Sequence, residues 1–197
     1  MIPGFERNSA EAVVLGASVG AVEALSHLLP PLPASTPFPI LIVVHVPATR
    51  PSLLAELFKP RCALVVHEPF DKEPIGKGIW FAPPDYHMLV AEDRSFALST
   101  DRPVHHSRPS IDVLFESAAE VYGDGLVAIV LSGASEDGAA GAARVRAAGG
   151  RVVAQDPKTA EGSTMPAAAI RDASPQFVGP LPDVARLLLQ LAGADHT

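Results

Sequence analysis

The chain is 197 residues long, 48% hydrophobic and 19% charged, with a formal net charge of −7, a length that suits one domain with a substantial core. No run of Lys or Arg exceeds two residues, which removes the electrostatic footprint of a nucleic-acid binder, and no apolar stretch approaches the roughly 20 residues of a membrane helix. Cys62 is the only cysteine, which excludes an intramolecular disulfide and any multi-cysteine metal or iron–sulfur site.

The first residues, MIPGFERNSAE, lack a basic segment followed by an apolar core. No secretory signal is expected from them, and a cytoplasmic location is the default. Residues 1–11 read as an N-terminal extension and 12–192 as a single domain.

In chain order, AVVL at 12–15 reads as a buried strand, and 19–29 as a helix with Val22, Leu25, Leu28 and Leu29 on its inward face and Pro30 at its end. A Pro-rich connector leads to a strand at 40–44 (ILIVV), followed by a short helix at 51–58 (PSLLAELF). ALVV at 63–66 and IWFA at 79–82 are further strands, and over 88–99 MLVA and FALS flank EDRS as a hairpin. Ser110 is placed to cap a helix whose inward stripe is Ile111, Leu114, Phe115 and Ala118, with Gly123 as the stop. A strand at 126–131 (LVAIVL), a close-packed helix at 138–148, a strand at 152–155 and the terminal amphipathic helix VARLLLQLAG complete the pattern.

Repeated strand, loop and helix units predict a three-layer α/β/α fold with a mainly parallel, doubly wound sheet and one antiparallel hairpin near residues 88–99. In such sheets ligands bind beyond the carboxyl ends of the strands. The residues that follow three apolar runs are therefore informative: Ser18 in GASVG, His45 after LIVV, and Asp137 in SGASEDGAAG.

Residues 16–20 match G-x-S-x-G with a strand before and a helix after, the arrangement that exposes a serine hydroxyl next to free backbone N–H groups. Gly16, Ala17 and Gly20 leave room for a carbonyl substrate. The plainer reading makes Ser18 a helix cap, His45 a core histidine and Asp137 a cap for the helix starting at Gly138. What favours chemistry is the conjunction, because a serine needs a base and an imidazole needs a carboxylate to fix its tautomer. Dinucleotide binding is disfavoured, since Ser18 and Ala21 stand where glycines are needed and no phosphate-loop Lys follows. The order Ser, His, acid also differs from that of α/β-hydrolases.

LGASVGAVEAL, VVHVP, APPDYHM, RPSIDVLF and LSGASEDGAAG, in this order and spacing, resemble the catalytic domain of the CheB family, the chemotaxis protein-glutamate methylesterases. The resemblance covers nearly the whole chain. It implies hydrolysis of glutamate γ-methyl esters, and deamidation of glutamine, on the cytoplasmic helices of chemoreceptors by a serine triad. Ser18, His45 and Asp137 stand at the motif positions, and the resemblance implies an oxyanion held by the backbone N–H groups of Val19 and Ala134, with no cofactor and no metal.

The chain departs from the family pattern where Val19, Gly20 and Ala21 replace Thr-Gly-Gly, where Ala134 replaces a methionine, and where Thr164 replaces a glycine before Met165 and Pro166. His105, His106, Ser107, Arg108 and Pro109 stand where Asn-Arg-His-Arg-Pro is usual. Only 11 residues precede the first strand, so a stand-alone catalytic domain without a receiver domain is expected, under a separate regulator if any. These departures keep open a catalytically degenerate CheB-like signalling or binding module. A metal centre built from Asp85, His87, His105 and His106 is weaker still, because no H-x-x-x-H pair supports it. Arg108 is expected to pair with a carboxylate or with loop carbonyls.

Overall fold

The computed structural model describes residues 2–46 and 52–194. Seven parallel strands form one sheet in the order β3 (Val66–His67), β4 (Gly78–Phe81), β2 (Pro39–Val44), β1 (Ala12–Ala17), β7 (Leu126–Val130), β8 (Arg151–Gln155) and β9 (Phe177–Gly179). Every residue of β1, β2 and β7 is buried, as expected of central parallel strands covered on both faces.

The two-residue strand period sorts the core into two layers. Val13, Leu15 and Ala17 face the layer that holds α1 (Ala21–Leu28) and α6 (Leu181–Leu191). Ala12 and Val14 face α3 (Ile111–Tyr122), α4 (Ala139–Ala147) and α5 (Thr164–Ala173). The expected three-layer, doubly wound architecture is thus the one observed. So is the hairpin, formed by β5 (His87–Val90) and β6 (Phe96–Ser99), which buries Met88, Val90 and Phe96 against Leu114 and Phe115 of α3.

The chain leaves β1 toward β2 on one side of the sheet, and β7 lies on the other. This is the topological switch point at which α/β sheets open a crevice. Ser18, directly after β1, stands at its mouth.

Residues 2–11 lie on the domain rather than apart from it: Phe5 is fully buried, Gln190 of α6 donates to its carbonyl, and Arg151 donates to the carbonyls of Gly4 and Ser9.

Several boundaries differ from the sequence reading, for identifiable reasons. Helix α1 starts at Ala21 because Gly20 is left-handed, with φ of 77°, so the buried stripe is Ala21, Ala24, Leu25 and Leu28 and Val22 is 47% exposed. The predicted helix at 51–58 is the five-residue α2 (Leu54–Phe58); Pro51 lies outside the described residues. At the sheet edge β3 is only Val66–His67, with Val65 exposed and Leu64 turned inward. Helix α6 begins earlier than VARLLLQLAG, at Leu181, with Pro182 in its first turn. Besides the single 3-10 turn at Gly123–Gly125, two elements have no counterpart in the sequence reading: α5, an alanine-rich helix whose Pro166 sits where no intrahelical N–H is required, and the three-residue edge strand β9.

Candidate active site

The register of the central strands brings Ser18 and His45 together. Ala17 on β1 pairs with Val44 on β2, and the His45 N–H donates to the Ala17 carbonyl at 3.1 Å, so the residue after each strand stands beside the other. On the opposite side the Ser18 N–H donates to the Ser132 carbonyl at 2.9 Å, which ties the turn to the end of β7. Ser18 and His45 line one cavity of about 570 Å³ together with Val22, Val44, Leu54 and Glu161. Among the described residues no hydrogen bond joins the two side chains.

The two glycines of G-x-S-x-G serve different ends. A Cβ at Gly16 would come within 2.4 Å of Ile111 Cγ2, so that position is kept bare by the start of α3. Gly20 carries the left-handed φ that turns the chain into α1.

His45 Nε2 lies 2.7 Å from Asp137 Oδ2. That bond leaves Nδ1 as the nitrogen available to a hydroxyl. Asp137 is fully buried and also accepts hydrogen bonds from the Ser110 hydroxyl at 2.8 Å and from the backbone N–H groups of Ile111 and Asp112 at 2.7 and 3.0 Å. Burial alone would push its carboxyl up, but the bonds from His45, the Asp112 and Ile111 N–H groups and Ser110 outweigh burial and hold it below the usual carboxylate range.

The capping pattern differs from the one expected. Ser110 occupies the N-cap position of α3 but makes no cap hydrogen bond with its side chain, because its hydroxyl is given to Asp137. Asp137 caps α3 instead of the helix that follows it. The helix that follows, α4, is capped by Asp112, whose Oδ1 accepts the N–H groups of Gly138 at 2.9 Å and Gly141 at 2.6 Å. Gly141 permits this approach, since a Cβ there would meet Phe115 Cβ at 2.6 Å.

The other polar residues singled out from sequence are dispersed. His87 is buried; its Nδ1 accepts the Ser110 N–H at 3.2 Å and its Nε2 donates to the Arg102 carbonyl at 3.2 Å. His105 Nε2 lies 3.3 Å from Asp112 Oδ2. Asp85 is bound by Arg108, which also donates to the carbonyls of Thr100 and Asp101, as expected for that arginine. Among the described residues no three His, Cys, Asp or Glu side chains converge as metal ligands.

Val19 and Ala134 are both exposed and lie on the turns after β1 and β7; neither lines the cavity shared by Ser18 and His45. The loop bearing Ala134 is fixed by the Gly133 N–H to the Gly162 carbonyl and by the Met165 N–H to the Gly133 carbonyl, each at 2.9 Å.

Comparisons with known proteins place the chain as a whole. Residues 13–188 match the family model CheB methylesterase. A Leptospira interrogans protein is 41% identical over 182 residues, covering 92% of this chain and 94% of the relative. A Bordetella parapertussis protein named protein-glutamate methylesterase/protein-glutamine glutaminase is 37% identical over 195 residues, but there the chain spans only 55% of the relative's length. The crystal structure of the Thermotoga maritima CheB methylesterase catalytic domain superimposes with a TM-score of 0.86 at 30% identity, over 92% of this chain and 98% of that one. The chain therefore belongs to the CheB methylesterase family.

Proposed function

We propose that this chain is a protein-glutamate methylesterase and protein-glutamine glutaminase, a hydrolase acting on the methylated cytoplasmic helices of chemoreceptors, with Ser18 as nucleophile, His45 as general base and Asp137 as the carboxylate that orients it. The observation that carries this reading is the 2.7 Å bond from His45 to the buried Asp137, made at the strand end next to Ser18.

With Nε2 committed to Asp137, His45 Nδ1 takes the Ser18 proton as Oγ attacks the ester carbonyl. The oxyanion is stabilised by backbone N–H groups, for which Val19 at the start of the α1 turn and Ala134 on the neighbouring loop are the candidates; each such donor is worth about 10² to 10³ in rate. The imidazolium then gives its proton to the departing methoxide and methanol leaves. Water, deprotonated by the same imidazole, attacks the acyl-enzyme, and Ser18 is released as the glutamate forms. With glutamine the leaving group is ammonia and the remaining steps are the same. No helix among the described residues is long and apolar enough to cross a membrane, and a cytoplasmic location follows from the proposed substrate.

Methanol release from a methylated receptor fragment, and ammonia release from its glutamine form, test the reading. Both are expected. A folded protein that binds the fragment and releases neither is a binding module instead.

A further inference from the structure

Asp112 takes no part in the steps above, yet it is bonded to the carboxylate that does. Its backbone N–H donates to Asp137 Oδ1 at 3.0 Å, and its own Oδ1 accepts the N–H of Gly138, the residue after Asp137, at 2.9 Å. The Asp112 side chain is only 5% exposed, whereas its partner His105 is 48% exposed. Asp112 thus spans the distance from the buried acid of the proposed triad to solvent.

His105 sits in a turn that the backbone alone would not favour. Val104 and Ser107 exchange N–H to carbonyl bonds at 3.1 and 2.8 Å, and the two residues between them, His105 and His106, have φ of 48° and 62°. Consecutive left-handed residues that are not glycine are strained and persist only where contacts hold them. The contacts here are the two Val104–Ser107 backbone bonds and the His105–Asp112 pair, which ties the turn to α3. His106, the next residue, lines a cavity shared with His45, Asp85 and Arg108.

We propose that Asp112 is a positioning residue for the Asp137–His45 pair, and that His105 clasps it from the solvent side, so that the turn at 104–107 is coupled to the general base. The proposal rests on the triad reading given above.

The titratable groups facing Asp112 are Asp137, from the loop before α4, and His105, from the turn; α4 presents the N–H groups of Gly138 and Gly141, and His87 on β5 is one bond removed, on the Ser110 N–H. Burial first, and the charge of Asp137 further, raise Asp112 to about 6, against the Gly141 and Gly138 N–H groups and His105, which pull it down. Above that pH an ionised Asp112 adds a second negative charge behind Asp137 and favours the imidazolium that forms at His45 in the transition state.

Asp112→Asn keeps an amide oxygen for Gly138 and Gly141 and removes the charge. Expected are a kcat lower by about tenfold, the equivalent of one pK unit of lost interaction, a KM within about twofold, an acid limb of the rate profile moved to lower pH, and no loss of thermal stability at pH 8. His105→Gln moves the acid limb to higher pH in the native background and leaves it in place in Asp112→Asn. An unchanged kcat and acid limb in Asp112→Asn, or activity and stability falling together, overturns the proposal. Should Asp112→Asn fail to fold, the acid limb of His105→Gln decides: a shift supports the coupling, and no shift overturns it. Ser18→Ala, assayed in parallel, separates this outcome from the underlying one: activity retained there contradicts the triad itself, whereas an inactive Ser18→Ala beside an unaltered Asp112→Asn contradicts only the positioning role.

Discussion

Asp112 and Asp137 cap each other's helices: Asp137 accepts the first N–H groups of α3, and Asp112, from the first turn of α3, accepts N–H groups at the start of α4. Helix dipoles favour negative charge at both places. The exchange fixes Asp137 from two directions and aims its remaining lone pair at His45. Asp137 thus has a structural and a proposed catalytic task, and the two can be separated.

Replacing Asp137 by Asn should lower kcat by on the order of 10⁴ through loss of the imidazole's partner. One of the two backbone cap bonds of α3 is kept, because an amide oxygen in the place of Oδ1 still accepts the Asp112 N–H, while the acceptor of the Ile111 N–H is replaced by an amide nitrogen. Circular dichroism and steady-state kinetics on the same preparation check this. A fold lost along with the activity would mean that capping dominates.

The two carboxylates should pull stability in opposite directions with pH. Asp137 titrates below its ordinary value in the folded protein, so its contribution is present above the unfolded carboxylate range near 4 and is lost as pH falls through the lower folded value. Asp112 titrates at about 6, so its contribution is present below the unfolded range and is lost as pH rises through about 6. Thermal melts across pH 3 to 8 should therefore show a slope between about 4 and 6 that Asp112→Asn removes. A profile identical in that variant would contradict the assignment.

Gly16→Ala should destabilise by about 1–3 kcal/mol through overpacking against Ile111, and it should also impair activity, because the Ile111 N–H is one of the Asp137 donors. Combined with Ile111→Ala, the loss should be smaller than the sum of the single changes. Additive losses would mean that the two residues do not share the contact.

Arg108→Lys loses the forked grip on Asp85 and cannot serve the Thr100 and Asp101 carbonyls at the same time. Faster amide exchange over residues 100–109 and a KM raised several-fold with kcat nearly kept are expected. Unaltered exchange would show that other contacts hold the loop.

The sequence was most legible where one period dominates. Continuous apolar runs marked the central strands, and the segments beyond them offered Ser18, His45 and Asp137 as candidates, because a parallel sheet aligns its carboxyl ends. Long-range capping was not legible. Ser110 and Asp137 each precede a helix and look like its cap, yet the packing of α3 on α4 hands Asp137 to one helix and Asp112 to the other. The partner of His105 was not legible either, because a histidine's type does not reveal an acid 7 residues on, at Asp112. Helix α5 escapes the sequence pattern because Pro166, in its first turn, reads as a breaker until the helix start is known, and β9 because three residues at a sheet edge carry little pattern.

The most direct test of the account is methanol release from a methylated receptor fragment by the native chain and by Ser18→Ala, each shown to be folded. The account predicts release by the native chain and none above the uncatalysed rate by the variant. Release by Ser18→Ala at a rate comparable to the native chain would contradict it.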